Sequence, residues 1–126
     1  MRLSSLVKLF SGELSASDYS AELSTELVEH TRGLEVRGGV APVRVTEDAD
    51  LLLDRAALGT LCRLFASGQL TAQELAYTAD ALQMADRVEF SGQDIATDLA
   101  QYTDPEINGA LTFVRALEIA GTGAAA

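Results

Sequence analysis

Near the end of the chain Ile107, Ala110, Leu111, Val114 and Leu117 follow i, i+3, i+4, i+7 spacing, which predicts a helix with one core-facing stripe. Residues 51–66 and 72–86 differ, carrying Leu, Ala, Phe, Tyr or Met on almost every side. That pattern predicts two helices wrapped by neighbours on most of their surface. Between Gly33 and Val45, "GLEVRGGVAPVRV" alternates β-branched residues around Gly38-Gly39, and Pro42 breaks any helix there, so this stretch is either a loop or a short β-hairpin.

The polar residues punctuate these segments, and one phrase does so twice. "LVKLFSGELSASDY" (Leu6–Tyr19) and "LCRLFASGQLTAQEL" (Leu61–Leu75) each run from an apolar helix end through Ser-Gly to a new start. Gly12 and Gly68 supply the left-handed residue that closes a helix. Ser15 with Asp18, and Thr71 with Glu74, then supply a hydroxyl cap and an acid three residues later, the capping-box pattern, which is firmer in the second copy. Leu14 and Leu70 match the position of a hydrophobic staple. Further starts are expected at Thr46-Glu47-Asp48, opening a helix through "DADLLLDRAALGTLCRLF", at Ser91 to Asp94, and at Asp104-Pro105-Glu106. These elements define an all-α fold: a compact bundle of five to six helices, residues 1–120 as one domain, with a fraying tail at 121–126.

Composition supports a folded core. Of 126 residues, 48% are hydrophobic and 22% charged, with mean hydropathy +0.13, which supplies the apolar area that disordered chains lack. The 19 acids against nine Lys and Arg give a net charge of −10, which argues against nucleic acid or an anionic membrane as partner and for a cationic one. The single cysteine, Cys62, cannot form an internal disulfide, and no run reaches the ~18 apolar residues of a membrane span. Together with an N-terminus too broken for a signal peptide, this reads as an untargeted cytoplasmic protein.

Candidate chemistry is sparse. Cys62 sits in an apolar run as a core thiol, and His30, the one histidine, closes the second helix at its C-terminal end, where a cation suits the helix dipole. Glu26 and His30 stand at i, i+4, but no second such pair exists to complete a metal site. The "TEDAD" acids (46–50) lack an EF-hand loop and read as helix N-terminal acids. No phosphate loop, dinucleotide fingerprint or zinc-type cysteine pair occurs. No catalytic residue, cofactor or metal is therefore assigned.

The acids are more informative by placement. Asp18, Glu22 and Glu26 recur every four residues, each like-charged pair costing a helix roughly 0.2–0.5 kcal/mol. From Gln69 to Gly109 eight acids face one base, Arg87, so that this segment is net −7. Glu89, Asp94, Asp98, Asp104 and Glu106 belong to it, with Tyr102 among them, while Ile95 and Leu99 take the inward stripe. Acids mixed with tyrosine suit docking against a basic surface, with Asp94 and Asp98 facing outward.

The first phrase also resembles the start of small acidic, all-helical bacterial immunity proteins of the colicin D type and of contact-dependent inhibition systems. Leu9, Phe10, Gly12, Leu14, Ser15, Asp18 and Tyr19 stand in matching places over about the first thirty residues. The chain departs from them in lacking Trp and in "TDPEINGALT". The resemblance implies an acidic helical face that plugs the basic cleft of a nuclease toxin without catalysis. The expected function is thus binding, through Asp18, Glu22, Glu26, Glu89, Asp94, Asp98, Tyr102, Asp104 and Glu106. Two alternatives stand beside it: a self-associating adaptor module whose acids only face solvent, and a metal hydrolase built on carboxylates such as Asp80.

Overall fold

Gly12 and Gly68 take φ +83° and +79°, the left-handed region that favours glycine, and each ends a helix as its place in the repeated phrase requires. In the computed structural model, which describes residues 1–36, 43–100 and 102, the order is α1 (Leu3–Ser11), α2 (Ala16–Val36), β1 (Leu51–Leu53), α3 (Arg55–Ala66), α4 (Ala72–Met84), β2 (Val88–Phe90) and α5 (Gln93–Ala100). The two corners are built alike. Glu13 and Leu14 both donate their N–H to the Lys8 carbonyl, and Gln69 and Leu70 do the same to that of Leu64.

The starts that follow also match the phrase. Ser15 Oγ accepts the Asp18 N–H at 3.1 Å. Thr71 Oγ1 accepts the Glu74 N–H, and Glu74 Oε1 accepts the Thr71 N–H in return, a complete capping box. Leu70 is buried and Leu14 half-buried, so the residue before each cap packs inward at the corner.

The protein is mostly helical, but the all-α expectation misses a small sheet. Leu51–Leu53 pairs in parallel with Val88–Phe90, in the register Leu51 to Val88, Leu52 to Glu89 and Leu53 to Phe90. Parallel strands need a crossover connection, and α3 and α4 supply it. The helix expected from Thr46 therefore begins only at Arg55. Asp54 is extended and its carboxylate accepts the Ala57 N–H at 2.8 Å, so this acid ends the strand and caps the helix. A short apolar run such as Leu51–Leu53 suits helix or strand, and pairing with β2 decides it.

The "TEDAD" acids do not open the helix expected from Thr46. Asp48 caps α1 instead, accepting the Ser4 N–H and hydroxyl at 2.9 and 2.7 Å, beside an isolated parallel bridge between Arg2 and Thr46. Two boundaries also shift. The second helix runs past His30 to Val36, so Gly33–Val36 are helical and not part of a loop or hairpin. Gly92, not Ser91, stands at the head of α5, its carbonyl accepting the Ile95 and Ala96 N–H groups. The rest of the 33–45 expectation falls partly, and the last helix and the tail wholly, outside the described residues.

The core gathers Leu3, Leu6, Leu53, Leu58, Leu61, Leu82 and Leu99, each with no exposure, together with Cys62. Full burial of a leucine contributes roughly 1.5–3 kcal/mol. Helix α4 packs against α2, α3 and α5. Its residues from Glu74 to Ala79, with Ala81 and Leu82, are all buried, which accounts for its apolar character on nearly every side.

Candidate functional site

Of the six described carboxylates assigned to the site from the sequence, four are held by partners within the fold. On α2, Glu22 pairs with Arg2, and Glu26 receives the Met1 amino group and, at 3.3 Å, the Tyr77 hydroxyl. Asp18 alone of that row is exposed with no ion pair among the described residues. His30 stacks edge-on against Tyr77 with ring centroids 5.2 Å apart. Among the described residues no three His, Cys, Asp or Glu side chains converge on a point where a metal could sit.

On α5 the expectation needs correction. Asp94 is exposed but bonds the Arg55 guanidinium, and Asp98 faces inward, only 6% exposed, accepting from Arg55 at 2.9 Å. These two hydrogen bonds, that to Asp98 foremost, hold the Arg55 guanidinium even more firmly protonated than an ordinary arginine. Tyr102 is 2% exposed and belongs to the core, not to a docking surface. The signal was present: Ile95, Asp98, Leu99 and Tyr102 stand at i, i+3, i+4 and i+7, so Asp98 and Tyr102 share the inward stripe of Ile95 and Leu99. Asp104 and Glu106 lie outside the described residues.

Glu89 is the expected residue that the fold places in a charged surface cluster. It lies at the centre of β2, exposed, in register with Leu52 of β1, which is 54% exposed while Leu51 and Leu53 are buried. Residues in register on paired strands share a face, so the outward face sets an apolar side chain beside a carboxylate. One step along, Asp50 and Arg87 form an ion pair at 2.8 Å. The guanidinium holds the Asp50 carboxyl below the usual carboxylate range, chiefly through this hydrogen bond. Arg87 is further engaged by Glu47, its backbone N–H going to the carboxylate at 2.7 Å and its Nη1 to the carbonyl at 2.9 Å.

Two grooves meet at β1. One, of about 720 Å³, is bordered by Asp50, Leu52, Asp86, Arg87 and Glu89. The other, of about 340 Å³, is bordered by Val7, Phe10, Leu52, Asp54, Ala56 and Thr60. Leu51 and Leu52 line both, so an acidic trough and a more apolar one form a continuous surface. In the acidic trough three carboxylates stand against the one guanidinium of Arg87, which Asp50 and Glu47 already occupy. Asp86 and Glu89 are exposed and make no ion pair among the described residues. Reading the sequence missed Leu52, Asp50 and Asp86 as parts of a site, because only the pairing of β1 with β2 brings residues about 37 positions apart together.

No family model, curated protein or solved structure matches the chain. Among the described residues no helix is long and apolar enough to cross a membrane.

Proposed function

We propose that this chain is a cytoplasmic binding protein without catalytic activity that neutralises a basic protein partner, in the manner of an immunity protein against a nuclease toxin. The observation that carries this reading is the outward face of the β1–β2 sheet. There Asp86 and Glu89 stand exposed beside Leu52, with the neighbouring Arg87 already engaged by Asp50 and Glu47. Exposed carboxylates around an apolar centre favour a cationic partner, because complementary charge speeds encounter and rejects wrong partners while apolar contact holds the complex. The net charge of −10 extends that field over the whole molecule. The resemblance of the first thirty residues to immunity proteins points the same way.

The competing reading, a self-associating module, draws on the same exposed Leu52. Two copies meeting through this face would bring Asp86 and Glu89 of both together, and like charges across an interface cost affinity. The test is capture of the partner from the source cell on the immobilised protein, release by a salt step, and assay of the purified partner. Salt-released basic protein whose nuclease activity is lost on adding this chain fits the proposal. A recovered partner that is acidic, or recovery of this chain alone at every salt concentration, contradicts it.

A further inference from the structure

We infer that the outward face of the β1–β2 sheet seats an arginine or lysine side chain of the partner protein, its aliphatic stem lying on Leu52 and its charged head meeting Glu89 and Asp86. This deepens the proposed function and rests on it. Long basic side chains bury their methylene stems on apolar surface while the charged head stays at a polar edge, and Leu52 with Glu89 offers those two surfaces side by side. The spacing is set by the sheet, since neighbouring strands lie roughly 5 Å apart, well within the length of an arginine side chain. Among the described residues no cationic side chain pairs with Glu89 or Asp86. Arg87, which lines the same groove, is turned to Asp50 and Glu47.

The groove beyond β1 extends the argument. Val7, 39% exposed, and Phe10 line it with Leu52. A partner segment that places a cation over Glu89 can therefore set an apolar residue against Val7 and Phe10. The occupant is thus a basic segment with an apolar neighbour. A second copy of this chain fits poorly, since it would bring a net charge of −10 to an acidic face.

The probe is a short synthetic peptide alternating arginine and leucine, with a glutamate-for-arginine version as control, titrated at low salt into the ¹⁵N-labelled protein. The expected amide shifts centre on residues 51–54 and 86–90, with Val7 beside them, and the control peptide gives none. Leu52→Ser and Glu89→Gln each weaken binding by about tenfold, while the thermal transition moves little because both side chains are exposed. Shifts centred on Asp18 with the sheet amides unmoved would overturn the seat and leave the basic-partner reading standing. Unchanged affinity on Leu52→Ser would overturn the stem contact and so the inference. No binding of the arginine peptide at low salt would overturn both. Concentration-dependent dimers that Leu52→Ser abolishes would give the face to a second copy and overturn it too.

Discussion

Tyr19 shows how a single side chain ties distant elements together. It is 1% exposed, and its hydroxyl meets Thr78 Oγ1 at 2.7 Å, joining α2 to α4. Burial pushes its ionisation well above that of a free tyrosine, outweighing the opposing effect of the Thr78 hydrogen bond. The folded state therefore holds this proton more tightly than the unfolded chain. The stability it contributes is complete below the unfolded value of about 10 and is lost as pH rises beyond it. Tyr19→Phe is expected to cost about 1–2 kcal/mol at pH 8, because the Thr78 hydroxyl loses its partner. It should also flatten the loss of stability between pH 9 and 11, leaving the smaller effect of Tyr77, whose ionisation burial also raises. Urea midpoints across that range test this, and equal pH slopes for the two proteins would refute it. Residue identity was easier to read than residue pairing: the sequence displays Glu22, Glu26 and Asp94, but not that Arg2, the Met1 amine and Arg55 take them up.

At the scale of elements, the helix corners were the most legible part. Helix stops and caps are local, written within a few residues, which is why Gly12, Gly68, Ser15 and Thr71 carry the roles that their spacing implies. An added Cβ would meet nothing within 4 Å at either glycine, so the cost of replacement is the left-handed backbone alone. Gly12→Ala and Gly68→Ala are each expected to lower stability by about 1–2 kcal/mol, read as a shift in urea midpoint with the helical circular dichroism unchanged. A shift near zero would mean that these corners do not need a left-handed residue. The strands were illegible for the opposite reason. Leu51–Leu53 has strong helix formers and Val88–Phe90 is short, so only the contact between them fixes either as β. Asp48 is similar: it caps a helix by bonding Ser4, 44 residues earlier, a relation that local reading cannot find.

Across the whole molecule, the acidic excess was plain from composition, whereas its useful part emerges only from the fold. Internal pairs absorb much of the charge on α2 and α5, and among the described residues Asp86 and Glu89 stay open together beside the sheet, as Asp18 does singly on α2; Glu89 was anticipated there and Leu52 and Asp86 were not. The central claim is that this face binds a basic partner. Its most direct measurement is the affinity of the captured partner for the protein carrying Asp86→Lys and Glu89→Lys, at low and at moderate salt, after matching thermal melts establish that the fold is kept. The account predicts that charge reversal weakens binding by about a hundredfold or more at low salt, with a smaller gap at higher salt as screening grows. Undiminished affinity in the double variant would contradict it and return these acids to a solvated coat.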